Sequence, residues 1–318
     1  MNEQRQKSQG GLFYSTPPGW APEIESRVHT YAALSRPVQQ WSSRYGDREW
    51  KLYRGPAKET LRLLPKESVD CTVTSPPYFW LRDYRVPGQI GLEDNVDGYI
   101  VALTDVMTEV QRVLKKDGLL FLNLGDTYYS GKGESQGVDR KSSKRRFGLR
   151  AVDRSGGLGI ALQRKSLIGI PWRVAEKMCQ QNWILRSTVI WHRLNCLPEP
   201  VKDRPSRGYE LIFMFAKSRH YYFCRDALPR DNAGEDVWRI SARPKPNGAL
   251  DTAPYPDELV ERCLSAGCSP NGTVLDPFCG SGTTLRVALK SGRNAIGIEL
   301  NPEFCQYVVQ SISSMALK

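Results

Sequence analysis

From residue 50 onward, apolar positions along the chain alternate between two periods. Residues 51–55 (KLYRG) suit a strand, residues 56–65 (PAKETLRLLP) a short helix opened by Pro56, and residues 68–74 (SVDCTVT) a buried strand that stops at SPPY. Residues 99–118 carry apolar side chains at helical spacing with Gly118 as the expected C-cap, and residues 119–126 (LLFLNLGD) read as a fully buried strand. Residues 170–183 look helical with Pro171 at the start, while 187–192 (STVIWH) and 210–218 (ELIFMFAKS) look like strands. The last quarter repeats the alternation: helix 256–267, strand 272–278, helix 283–292, strand 295–300, and helix 301–314 capped by Asn301 with Pro302 in its first turn. Strands alternating with helices predict an α/β fold, a doubly wound Rossmann-like parallel sheet in residues 48–318. Residues 1–47, rich in Pro, Gln, Ser and Arg with isolated aromatics, show neither period and read as an irregular arm.

Composition narrows the class. A 318-residue chain with 40% hydrophobic and 25% charged residues is ordinary for a globular protein, and no apolar run approaches the roughly 20 residues of a membrane span. The N-terminus lacks a secretory signal, so a cytoplasmic protein is expected. Eight scattered cysteines without a CxxC pair, and three histidines, predict neither disulfides nor a metal site. A net charge of +11 points to a polyanionic partner. Residues 131–165 concentrate that charge: ten Lys/Arg against three Asp/Glu, in a glycine-rich stretch without apolar period. Lys132, Arg140, Lys141, Lys144, Arg145, Arg146, Arg150 and Arg154 are the expected contacts to phosphate.

Two strings carry candidate chemistry. Asp276, Pro277, Phe278, Cys279, Gly280, Ser281, Gly282, Thr283 and Thr284 place a glycine-rich turn between a buried strand and a helix, where such sheets bind ligands. Glu299 ends the next strand, 23 positions after Asp276, where an acidic residue accepts both hydroxyls of a ribose. No GxxxxGK[ST] loop occurs, and the turn is shorter than a dinucleotide fingerprint. The second string, Ser75-Pro76-Pro77-Tyr78, is a rigid turn directly after a buried strand. Ser75 and the Pro76 carbonyl suit the two hydrogens of an exocyclic base amine, and the Tyr78 ring suits stacking on the base, a role that a phenylalanine would also fill. A base so handled must first be flipped out of the duplex.

Together TSPPY, DPFCGSGTT and IGIEL resemble the amino-methyltransferases of DNA in the permuted order often called the beta class, with the catalytic motif before the cofactor motif. The likeness runs from about residue 50 to the C-terminus and takes in residues 79–93, 119–128, 170–178 and 187–223. It implies S-adenosylmethionine as cofactor and double-stranded DNA as partner. It also implies that Asp276, Phe278, Gly280 and Gly282 line the methionine and adenosine pocket, that Thr283 and Thr284 close it, that Glu299 holds the ribose, and that the stretch including Tyr255 and Asp257 forms a wall. Relatives commonly show Thr-x-x-His-Glu where this chain has Ser206 to Glu210, with Tyr209 in place of the histidine, and they keep a target-recognition segment at about 219–250. Serine at the first catalytic position is more usual in cytosine-N4 enzymes, Asp or Asn in adenine-N6 enzymes, so a site-specific cytosine-N4 methyltransferase of a restriction-modification system is expected, with adenine-N6 as the alternative. A cytosine-C5 enzyme is disfavoured because no Pro-Cys dipeptide offers its thiolate. RNA or protein-glutamine methylation, for which Asn/Asp-Pro-Pro-Tyr sites also serve, is disfavoured by the basic stretch. A catalytically dead DNA-binding module is disfavoured because both strings are intact.

Overall fold

A computed structural model describes residues 24–29, 38–129, 162–163, 165–196, 199, 201–229, 235–242 and 254–316. Ten strands among them form one sheet: β1 (Glu25–His29), β2 (Val38–Tyr45), β3 (Arg48–Arg54), β4 (Val69–Thr74), β5 (Leu114–Leu124), β6 (Ile184–His192), β7 (Tyr209–Ala216), β8 (Val237–Arg239), β9 (Thr273–Asp276) and β10 (Asn294–Glu299). Their spatial order is β1-β2-β3-β10-β9-β4-β5-β7-β6-β8. The five central strands, β3 to β5 in that order, are parallel. The flanks are not: β7 runs antiparallel to β5 and β6 antiparallel to β7. The expected parallel sheet is therefore a parallel centre inside a mixed sheet, because periodicity marks a strand and not its direction.

Helices cover both faces. α1 (Ala57–Leu61), α2 (Val96–Val113) and α3 (Ile170–Gln180) enclose one core, while α4 (Asp257–Gly267), α5 (Thr283–Lys290) and α6 (Pro302–Ala316) enclose the other. In α2 the buried Val96, Tyr99, Ile100, Leu103, Met107 and Val110 follow the i, i+3, i+4 rule, and the Asn95 side chain caps the helix by accepting from Gly98 N at 2.7 Å. α2 stops at Val113, and Gly118 is no C-cap: the chain turns extended at Leu114, and Gly118 lies in β5. A Cβ at Gly118 would lie 2.8 Å from the Asp70 carbonyl oxygen, so close passage to β4 is what requires the glycine.

β1 and β2 lie within the stretch read as an irregular arm. β2 pairs antiparallel with β3 from Gln39↔Arg54 to Tyr45↔Arg48, across a turn in which Gly46 has φ 57°. Its sequence, VQQWSSRY, has little apolar alternation, so the strand is specified by its neighbour.

The chain leaves β4 through α2 toward β5, and leaves β9 through α5 in the other direction toward β10. Since β4 and β9 are paired neighbours (Cys71↔Val274, Thr72↔Leu275), a topological switch lies between them, and their carboxyl ends open a crevice.

Candidate active site

At the end of β9 the Asp276 carboxylate is 2% exposed and accepts four hydrogen bonds. Its Oδ1 receives Thr74 Oγ1 at 2.7 Å and Phe278 N at 3.1 Å, and its Oδ2 receives Thr284 Oγ1 at 2.6 Å and Tyr255 OH at 3.0 Å. The Tyr255 and Thr284 hydroxyls also touch each other. Burial raises the carboxyl above its ordinary range, and these donors oppose the shift. Asp276 thus organises the turn and, through Thr74, joins it to the end of β4. Its lone pairs are taken by protein donors.

The following turn bends at two left-handed glycines, Gly280 (φ 50°) and Gly282 (φ 77°). A Cβ on Gly282 would stand 2.9 Å from Val308, so this glycine serves packing against α6. Gly280 faces open space, with its nearest atom, the Phe278 carbonyl oxygen, at 4.0 Å. Gly280 N donates to Glu299 Oε2 at 2.8 Å, and Asn301 N donates to Glu299 Oε1 at 2.7 Å. Each carboxylate oxygen keeps capacity for one more hydrogen bond. Burial pushes the Glu299 carboxyl up to about 7, against those backbone donors.

A cavity of about 740 Å³ unites the two strings. Ser75, Pro76, Pro77 and Tyr78 line it, as do Asp276 through Ser281, Thr283, Tyr255 and Glu299. Gly282 and Thr284 stand behind that wall. Asp257, expected in the wall, opens α4 and does not line the cavity, Pro254 and Tyr255 taking that place. An acid in the first turn of α4 suits the positive end of the helix dipole.

On the catalytic side, Tyr99 OH donates to the Pro77 carbonyl at 2.8 Å, which uses that carbonyl and fixes the turn. The half-buried Tyr78 ring lies over Gly125, where a Cβ would come within 2.6 Å of Cε2. Its hydroxyl is not idle. It lies 2.7 Å from Glu210 Oε2, 3.2 Å from Asn123 Oδ1 and 3.2 Å from Ser75 Oγ. Glu210 Oε1 in turn accepts from Arg193 Nη1 at 3.3 Å. Burial, then the Glu210 charge, pushes the Tyr78 phenol well above its ordinary value. Asn123, Arg193 and Glu210 all line the cavity, and none was singled out as a site residue from the sequence. Tyr209, standing where relatives have histidine, is 44% exposed beside Glu210.

Residues 69–310 match the N6/N4 methyltransferase family of DNA methylases. The chain belongs to that family. It is 41% identical over 273 residues to the type II methyltransferase M.SmaI of Serratia marcescens, spanning 83% of this chain and 91% of that protein. It is 40% identical over 267 residues to M.Cfr9I of Citrobacter freundii, spanning 82% and 87%. The fold is shared with the cytosine-N4-specific PvuII DNA methyltransferase (TM-score 0.63, 19% identity, 84% of this chain and 92% of that one). It is also shared with a DNA modification methylase of Thermus thermophilus, TTHA0409, solved with S-adenosyl-L-methionine (TM-score 0.57, 24% identity, 83% and 95%). The protein is therefore an S-adenosylmethionine-dependent DNA methyltransferase of the N6/N4 type, with the SPPY strand β4 preceding β9 and its glycine turn. No helix among the described residues of this methylase is long and apolar enough to cross a membrane.

The eight basic residues expected to meet phosphate, Lys132 to Arg154, lie outside the described residues. The methylase does show where their segment is rooted. Residues 127–129 and 165–168 run side by side, with Ile168 N donating to Thr127 O (3.0 Å), Tyr129 N to Ser166 O (2.8 Å) and Lys165 N to Tyr129 O (2.9 Å). The Asp126 carboxylate bridges the same two ends by accepting from Gly169 N (3.0 Å) and Ile170 N (3.1 Å) at the start of α3. Of the expected recognition segment 219–250, the first part lies away from the cavity: Tyr222 N bonds Asp117 O, near the amino end of the buried part of β5. The chain returns along β8, and Ala242 lines the cavity, tied to Asn195 by two hydrogen bonds of 2.7 and 2.9 Å.

Proposed function

We propose that this methylase modifies the N4 amine of a cytosine flipped out of duplex DNA at a specific site. The observation that carries the reading is that Ser75 and the Gly280–Glu299 pair line one cavity. That cavity fits S-adenosylmethionine: its open face at Gly280, the apolar ring of Phe278 and the spare acceptor capacity of Glu299 suit a nucleoside, and Tyr255 backs the wall. When bound there, the cofactor supplies a methyl group activated by a positively charged sulfur. Ser75 Oγ and the Pro76 carbonyl accept the two amine hydrogens and turn the nitrogen lone pair toward that methyl. The Tyr78 ring, braced on Gly125, stacks on the base and excludes water. Serine rather than aspartate or asparagine at position 75 favours cytosine over adenine. The basic stretch from Lys132 to Arg154 clamps the phosphate backbone, and bases are read partly there and partly by the chain around Ala242.

Nucleoside mass spectrometry of duplex DNA treated with the protein and cofactor tests the reading. N4-methylcytosine is the expected product; N6-methyladenine in its place would assign the enzyme to adenine. No label in DNA, with label in RNA or protein, would reject DNA as substrate.

A further inference from the structure

We propose that Glu210 is a positioning residue that acts on Ser75 through the Tyr78 hydroxyl, turning the serine oxygen toward the amine and providing the final seat for the proton released there. The inference rests on the methyl-transfer reading above.

The Tyr78 oxygen has one hydrogen to give and two lone pairs. Asn123 Nδ2 is committed to the Leu211 carbonyl at 3.2 Å, so its Oδ1 faces Tyr78 as an acceptor only. Ionised Glu210, paired with Arg193 through its other oxygen, is also an acceptor only. Two acceptors thus compete for one hydrogen, and the nearer, charged one at 2.7 Å wins. The remaining neighbour, Ser75, must be a donor to the tyrosine. Once its hydrogen is held there, Ser75 Oγ presents only lone pairs to the cavity, which is what an amine bearing two hydrogens requires. Burial and the Glu210 charge keep the phenol protonated, so Tyr78 enters the network as a neutral hydroxyl.

The same contacts accommodate the proton. As the carbon–sulfur bond breaks and the carbon–nitrogen bond forms, the nitrogen gives one proton to Ser75 Oγ. The serine's own proton passes to the Tyr78 oxygen, and the Tyr78 proton passes to Glu210 Oε2. Glu210 is then a neutral acid and donates back to Tyr78, whose hydroxyl turns to Asn123 Oδ1. Each hydrogen has an acceptor in both states, which gives Asn123 its place beside an already satisfied tyrosine. The Glu210 side chain, 15% exposed, returns the proton to water.

The test compares Tyr78→Phe, Glu210→Gln and the double variant in single-turnover methylation, alongside the carbon-13 shift of the labelled Tyr78 ζ carbon in cofactor-free protein. Each single variant should lower the rate on the order of 100-fold, as loss of proton-transfer assistance does, with KM for DNA nearly unchanged. The double variant should be no slower than the worse single one. The Tyr78 resonance should shift in Glu210→Gln and in Ser75→Ala. A Tyr78→Phe enzyme at the wild-type rate, losses that multiply in the double variant, or an unmoved resonance would each overturn the relay. If the wild type methylates no DNA, the functional reading fails, and the resonance still reports whether the network exists.

Discussion

At the Gly280–Glu299 end of the cavity, the buried Asp276 carboxylate accepts four hydrogen bonds, two of them from the Tyr255 and Thr284 hydroxyls, which also reach each other and the Val73 carbonyl. At the catalytic end, the Tyr78 hydroxyl meets two acceptors with one hydrogen to give. Both clusters join distant strands, but the first gathers four donors on one carboxylate whose lone pairs they fill, and the second sets two acceptors against one hydrogen. A fully paired buried carboxylate fixes geometry, whereas a cluster with an alternative acceptor can move a proton without moving a backbone. On the methyl-transfer proposal, the nucleoside end needs the first property and the end that loses a proton needs the second.

The sharpest way to break this contrast is Asp276→Ala. It strands the buried Thr74 hydroxyl and the Phe278 N–H, each costing about 1–3 kcal/mol, and leaves the Tyr255 and Thr284 hydroxyls only the Val73 carbonyl and each other. Urea unfolding should show a loss above about 3 kcal/mol, while Tyr78→Phe should stay close to wild type; equal losses would dissolve the distinction. Next in size, Glu299→Ala should weaken cofactor binding by about 1.5–3 kcal/mol in calorimetry. Glu299 also sets a pH signature. Its carboxyl, pushed up to about 7 in the free protein, is partly protonated near neutrality, and hydroxyl donors prefer the ionised form. Cofactor affinity should therefore rise with pH through about 7. Stability of the free protein should fall as pH climbs from the ordinary carboxylate range to that value, since an acid raised above its unfolded value holds its proton longer when folded. Glu299→Gln should flatten both trends.

A comparable or smaller effect is expected at Gly125→Ala, which pushes a methyl into the Tyr78 ring. Such overpacking costs roughly 1–3 kcal/mol, and it should slow methylation while leaving cofactor affinity unchanged, because the atoms nearest the added methyl all belong to the Tyr78 ring. The smallest change per residue is expected from neutralising Lys144, Arg145 and Arg146. Each lost phosphate contact should reduce the salt slope of DNA binding by about 0.9, on cognate and unrelated duplexes alike. An unchanged slope would remove these residues from the interface.

Legibility followed the physics of each feature. Most helices and strands from Trp50 onward were readable because burial imposes a period on them, as along α2; the three-residue β8 and the start of β5 at Leu114 were not. β2 was not, because a polar strand takes its place from the partner beside it, and the direction of β6 and β7 leaves no mark on their composition. The glycine turn and SPPY were legible as contiguous strings. The partners of the Tyr78 hydroxyl were not: Glu210 is 132 positions away and Asn123 is 45. Asn123 did leave one trace, as the polar residue inside the apolar run LLFLNL, and a fully buried strand seldom carries an amide without a partner to satisfy. Tyr255 lines the cavity and its neighbour Asp257 does not, since a string locates a segment but not which of its side chains turns inward.

The paired stem of residues 127–129 and 165–168, closed by Asp126, bears on how such enzymes diversify. Because both ends of the basic segment are clasped beside the sheet, the active site has no need to register how much chain lies between them. Closing a longer loop costs only about 0.6 kcal/mol for each doubling of its length. The stem is a socket: the chain that joins its two strands can be exchanged for one of another length or charge while the sheet that holds the stem is inherited intact.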